Sequence, residues 1–484
     1  MSSGGSIFLD FHLPSATTWF YLSLVVAVGL FFRFRRLASL QNWDVLLVFL
    51  LVPGMLYLRE CQARRHEAAL GYCQALGVTA SQAATPQVGS PGLLEELLPW
   101  ASAMDAAARF QQADRAVRRA YLLLLLGSGA LLVRCLADLV VIRRQPFQAN
   151  LTPEGLLWLG AMLLVVFCVT TALPVFESAK PGGAESVLLE RAPQVLARQP
   201  VVERLFDIER LIAGITVACH LLLAASLFWV GYRHFGKATL GASAVLLYLL
   251  LPYSAYHATE LLHLVPATLL TLMLAVHRLP AVAGFLLGLG CAVVYFPVFL
   301  APLWMSYYYR RGFGRFLIGL VLALAIVIST LWQAGTLWQE WQQVLHWPDW
   351  RAWDVSRRPS GDGLWSGLEW HYAYRVPIFV AYLVLVVFSV LWPRQKNVGH
   401  LLVLTTALTI GVQFWYGRAG GTYVLWYAPL MVLLLLRPNF RELEDRPIPS
   451  WRERLRDWWQ HLAGRHTRSP ASLSASAPTP SDKL

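Results

Sequence analysis

Charge is scarce in this chain. Only 14% of its 484 residues are Asp, Glu, Lys or Arg, against 57% hydrophobic, and mean hydropathy is +0.50. One soluble core cannot bury that much apolar surface, so the composition excludes a soluble globular fold and points to an integral membrane protein. The alternating pattern of barrel strands is missing, and the apolar runs recur near the roughly 20 residues a helix needs to cross a bilayer. Cysteine is sparse as well. Cys135, Cys168, Cys219 and Cys291 sit inside apolar segments and read as small buried hydrophobes. Cys61 and Cys73 share a polar stretch, where a disulfide can form if that loop faces an oxidising side. No CxxC or Cys/His spacing calls for a structural metal. There is no P-loop, and no GxGxxG between a strand and a helix, to cradle a nucleotide. The residues before Thr17 lack a basic region, so no cleaved signal peptide is expected.

The charge that is present is mostly basic, 40 Lys and Arg against 28 Asp and Glu, for a net +12. A nucleic-acid binder gathers such residues on a soluble face. Here they punctuate the ends of apolar runs, the positive-inside pattern of a multi-pass membrane protein, and no nucleic-acid partner is expected. Spans are expected near 17–32, 45–58, 120–141, 156–173, 211–231, 238–253 and 266–276. Two short helices should follow between Pro280 and Arg310, then spans near 316–331, 376–392, 398–415 and 422–436. The count is roughly 13 crossings with the N-terminus out and the C-terminus in. The second span is expected to be interrupted at Pro53 and Gly54. The loop from Arg59 to Arg118 carries Ala-rich amphipathic pieces that read as helices lying on the membrane surface. In the third span Arg134 and Asp138 stand at helical contact spacing and read as an internal ion pair. The run NLTPEG reads as a helix start, with Thr152 as cap, Pro153 first and Glu154 in the first turn.

Three outer stretches offer chemistry. The first is the polar island His257 to His263, where two His and Glu260 fall in a turn after Pro252. It either solvates the interface or contacts a sugar or phosphate; Zn or Mn would want further ligands that the stretch does not supply, so no metal is expected. The second is a Trp-rich loop holding Trp332, Trp338, Trp341, Trp347, Trp350, Trp353, Trp365 and Trp370, interleaved with charged residues that include Glu369 and His371. It reads as an interfacial belt or as a platform for sugar rings. The third is a pair of cations, Arg375 at the head of a span and Arg418 in the turn YGRAGGTY, whose planar forks suit a phosphate. A basic, Trp-bearing helix candidate, PSWRERLRDWWQHLAGRHTR, and a Ser/Pro/Ala-rich end close the chain.

Between about residues 150 and 440 the chain resembles glycosyltransferase family 87, polytopic enzymes that take sugars from polyprenyl-phosphate carriers. The resemblance lies in an LxPxxxYH run ending at His257, then a polar turn and LxPAxLLxLxL from Leu264. LPAVAGFLLGLG, YFPVFLAPLW and the basic turn YYYRRGFGRF follow. It implies an all-α helix bundle of the C-type glycosyltransferase fold in the cell inner (plasma) membrane. It also implies inverting transfer of a hexose, mannose by family habit, with no nucleotide and no other cofactor. The partners implied are a polyprenyl-phosphate-linked sugar, a glycolipid or glycan acceptor and membrane lipids. The family's base is an Asp in its first outer loop; the nearest acidic residue here is Glu177, in LPVFES, and a Glu can deprotonate an acceptor hydroxyl. His257, Glu260, His263, Glu369, His371, Arg375 and Arg418 are then the expected substrate contacts. Residues 1–150 become a membrane extension, 151–440 the transferase-like domain and 441–484 a cytoplasmic helix and tail. The rival reading is a non-catalytic protein of the same fold: a transporter, a scaffold or a lipid-binding subunit. A transporter favours two related halves, and no convincing internal repeat is present.

Overall fold

A computed structural model of the chain describes residues 16–75, 100–140, 147–172, 208–294, 296–333, 363–366, 371–417 and 419–443. Regular structure among them is entirely helical. Among the described residues five helices are long and apolar enough to cross a membrane, and shorter apolar helices accompany them, as expected of a helical membrane protein. The described residues form one compact unit.

The chain opens with α1 (Ala16–Phe31), α2 (Leu40–Phe49) and α3 (Leu51–Ala75). The break between α2 and α3 falls at Leu50, ahead of the expected Pro53-Gly54 interruption, for a simple reason. Pro53 has no N–H, so the Phe49 carbonyl loses its donor four residues on, while Pro53 itself sits harmlessly in the first turn of α3. The described parts of the amphipathic stretches after Arg59 are continuous with longer helices and do not stand as separate pieces. α3 runs unbroken to Ala75, and α4 (Trp100–Ala137) has 38 residues, about 57 Å of helix, roughly twice the hydrocarbon thickness of a bilayer.

α3 and α4 pair antiparallel. Leu124 packs over Gly54, Gln62 donates to the Tyr121 hydroxyl at 3.4 Å, Arg65 meets Asp114 at 3.6 Å and Tyr72 stacks on Phe110 at 6.4 Å. Each apolar stripe therefore lies on the other helix. The Cys61–Cys73 disulfide is ruled out on the same ground. Both residues lie on one helix, about 18 Å apart along its axis, far beyond the roughly 4.4–6.8 Å between disulfide-linked Cα atoms, and Cys61 is a free thiol.

The next helices are α5 (Pro153–Ala172), α6 (Ile208–Trp229), α7 (Ala238–Leu250), the five-residue α8 (Pro252–Tyr256), α9 (Leu261–Ala275), α10 (Pro280–Val293) and α11 (Ala301–Tyr308). The last four are α12 (Phe313–Gln333), α13 (Arg375–Leu391), α14 (Val398–Trp415) and α15 (Ala428–Leu436). The start of α5 is as the sequence suggests: the Thr152 hydroxyl accepts from the Gly155 N–H at 3.3 Å, satisfying one of the orphan donors of a helix start.

Burial sorts the helices. α14 is buried at every residue except His400 and Phe414, and all nine residues of α15 are buried. Helices apolar all round occupy the centre. α5 exposes Trp158, Met162, Val165 and Val169, and α12 exposes Ile318, Val321, Leu322 and Ile328, faces that only lipid covers without cost. α10 and α12 lie backbone to backbone. A Cβ on Gly284 would run into the Phe316 carbonyl, and one on Gly319 into the Ala281 carbonyl, the close approach that small residues permit in membranes.

Candidate functional site

The polar island forms an elbow between α8 and α9. Pro252 starts α8 and holds Leu251 extended, at φ −63° and ψ 128°, as a residue before proline must be. α8 ends after one turn at His257, and α9 begins after Glu260, whose side chain makes no capping bond to the helix it precedes. The carboxylate turns to the histidines instead. Glu260 Oε2 lies 2.8 Å from His257 Nδ1 and 3.3 Å from His263 Nε2. The two imidazoles stack face to face, centroids 4.0 Å apart and planes 16° from parallel. Their side chains are only 5% and 10% exposed, whereas that of Glu260 is 40% exposed, so the carboxylate is the open side of the cluster.

Behind His263 the stack continues. Tyr423 lies 5.3 Å from its ring, Trp426 lies 4.1 Å from Tyr423, and Phe296 lies 4.6 Å from Trp426, all within 22° of parallel. Five rings from three separated segments thus form one column. The turn that delivers Tyr423 is the expected YGRAGGTY turn, pinned where the Gln413 side chain accepts from the Gly421 N–H at 3.0 Å. Gly421 itself has φ +96°, a conformation glycine adopts without penalty.

The elbow is tied on both flanks. His220 Nε2 sits 2.8 Å from the Ala258 carbonyl, and the Trp426 indole N–H donates to the Leu262 carbonyl at 3.2 Å. Each of these carbonyls belongs to a residue adjacent to one of the paired histidines. On the open side, Tyr256 packs edge-on to His257 at 4.7 Å, is 42% exposed, and carries the Arg59 guanidinium 5.5 Å above its ring. A carboxylate, an aromatic face and a cation therefore meet at one helix break.

The other expected site residues fare differently. Arg375 heads α13 as expected, but its side chain is fully buried and donates through Nε to the Trp415 carbonyl at 3.1 Å; it does not stand in an open, wet cavity. Trp365 is likewise buried, its indole N–H on the Phe414 carbonyl at 3.0 Å, an anchor for the loop and not an exposed platform. His371 is exposed just before α13. Glu177, Glu369 and Arg418 lie outside the described residues, as do most of the loop tryptophans. A concavity of about 600 Å³ lies elsewhere, lined by Arg33, Arg36, Gln41, Asp44 and Phe147 among others, and none of the expected site residues borders it.

Sequence reading passed over His220, Tyr423, Trp426, Phe296 and Arg59. The Tyr-rich composition of GGTYVLWY was a signal for the column; nothing local marks His220, which reads as one polar residue in an apolar helix. No protein-family model, curated protein or solved structure matches the chain.

Proposed function

We propose that the chain is a multi-pass protein of the cell inner membrane with a C-type glycosyltransferase fold of roughly 13 crossings. In this reading it transfers a hexose, mannose-like, from a polyprenyl-phosphate carrier to an extracytoplasmic glycolipid or glycan acceptor. The observation that supports it is the rim at the elbow, where Glu260, the exposed Tyr256 and Arg59 stand together at a helix break. A carrier lipid presents three things at the membrane surface: a sugar ring with an apolar face, hydroxyls, and a phosphate. The Tyr256 face suits the ring, the Glu260 carboxylate accepts from hydroxyls, and the Arg59 guanidinium suits the phosphate. The buried column behind His263 holds the elbow rigid, as a positioned donor requires. Acceptor deprotonation falls to Glu177 by the family resemblance.

A deletion strain tests the reading. Its glycolipids, compared with those of the parent, should lack one hexosylated species and accumulate the unglycosylated acceptor. Wild type should restore the product, and Glu177→Gln, present in the membrane at equal abundance, should not. Identical glycolipids in deletion and parent strains would rule out the transfer and leave a non-catalytic role.

A further inference from the structure

We infer that His257, Glu260 and His263 form a binding site for one divalent transition-metal ion of the Zn2+ class. The three side chains offer ligand atoms that all lie within 4.8 Å of one another, and the two contacts to Glu260 Oε2, 2.8 and 3.3 Å, are close to the edges of a tetrahedral coordination sphere. With metal–nitrogen and metal–oxygen bonds of about 2.0–2.2 Å, such edges come to roughly 3.3–3.6 Å, so the 2.8 Å His257 contact has to open when an ion enters. Two imidazoles and one carboxylate make a three-ligand set that leaves a position open. The open position faces outward, because Glu260 is the exposed member and both histidines are buried.

The ring geometry leaves the cluster room for an ion: the two imidazoles lie 4.0 Å apart and nearly parallel beside one carboxylate. The outer nitrogens, His257 Nε2 and His263 Nδ1, are buried with no hydrogen-bond partner among the described residues. Nothing outside the cluster therefore fixes either tautomer. The inner nitrogens can carry protons toward Glu260 without metal, or turn lone pairs toward an ion, at no loss of an outer hydrogen bond. Convergence of both lone pairs asks one ring to rotate out of the stack. The backbone stays in place meanwhile, because His220 holds the Ala258 carbonyl and Trp426 the Leu262 carbonyl. An ion so placed offers its open position to water or to a phosphate oxygen.

The inference goes beyond sugar transfer, and its test reads metal rather than product. Tag-free full-length protein, purified in detergent and stripped with a chelator, is titrated with Co2+ and then with Zn2+. Wild type should bind one ion per chain, with the intense visible absorption of low-symmetry Co2+, and Zn2+ should displace it. Glu260→Gln, which keeps the shape, and His263→Ala should each weaken binding at least about 100-fold. His66→Ala, a surface histidine on α3, should leave binding unchanged. Should His263→Ala not fold, as judged by its elution profile, the half-exposed Glu260→Gln decides alone. Equal Co2+ affinity in wild type and Glu260→Gln overturns the site, and so does a wild type that takes up no stoichiometric ion.

Discussion

Arg134 and Asp44, 90 residues apart in sequence, close a two-toothed pair, Nε to Oδ1 at 2.6 Å and Nη2 to Oδ2 at 2.8 Å. The same guanidinium reaches Asp138 at 3.0 Å, and the other oxygen of Asp138 accepts from Arg437 Nε at 2.8 Å. Asp138 and Arg437 are buried. Among the described residues, Arg134, Arg437, Asp44 and Asp138 thus form a charge network that joins α2, the end of α4 and the end of α15. It makes the N-terminal helices part of the central bundle.

Removing one member strands its partner's charge. Asp138→Asn or Arg437→Met is expected to lower stability by about 3–5 kcal/mol. Glu60→Gln, at the exposed Glu60–Arg64 pair, should leave the midpoint nearly unchanged, because water screens the pair. Unfolding midpoints in one detergent give the comparison. Equal midpoints for Asp138→Asn and Glu60→Gln would mean that water reaches the network.

The reach of the sequence is visible in this network. Arg134 and Asp138 were legible because i, i+4 contact is a property of a single helix; Asp44 and Arg437 were not, because their approach depends on how distant helices pack. The Thr152 cap was legible for the same local reason. The stretches in α3 and α4 misled because amphipathic spacing shows that an apolar face must be covered, without saying whether lipid or a second helix covers it. The polar island stood out in the sequence, yet the ring column behind it draws on three segments and could not be read from any one. Arg375 was placed correctly at a helix head, but its burial against Trp415 is again a tertiary fact.

The antiparallel register of α3 and α4 predicts which cysteines can meet. Arg65→Cys with Asp114→Cys puts two thiols on the facing sides of α3 and α4, and a short bis-maleimide should bridge them in membranes, seen as a shift on a gel. Native Cys61 and Cys73 should stay unlinked under the same treatment. A Cys61–Cys73 bond detected by mass spectrometry would mean that α3 is broken between them.

Gly284 and Gly319 hold the tightest backbone approaches where α10 crosses α12. Gly284→Ala sets a methyl against the Phe316 carbonyl, and Gly319→Ala sets one against the Ala281 carbonyl. Backbone cannot rotate aside as a side chain can, so each change should push the helices apart and cost roughly 1–3 kcal/mol. Gly314 lies on the same helix as Gly319, and a methyl added there would meet nothing within 4 Å, so Gly314→Ala should be neutral or slightly stabilising. Folded yield after detergent extraction ranks the three, and a loss for Gly314→Ala equal to the others would remove packing as the cause.

Trp426 combines two functions that substitution can separate. Its ring is fully buried between Tyr423 and Phe296, and its indole N–H holds the Leu262 carbonyl, one residue before His263. Trp426→Ala removes both and should cost about 3–5 kcal/mol, as large-to-small changes in a core do. Trp426→Phe keeps a ring in the column and gives up only the hydrogen bond, worth about 1 kcal/mol. Its effect on the elbow should be larger than its effect on stability, because the released carbonyl lets the backbone beside His263 shift and the imidazole lose its set direction. Co2+ affinity should then fall roughly 10-fold, the scale seen when the support behind a metal ligand is lost, while the unfolding midpoint moves little. The two measurements on one preparation separate positioning from packing. If Trp426→Phe binds Co2+ as tightly as wild type, the column serves the core alone and the elbow is held by other means.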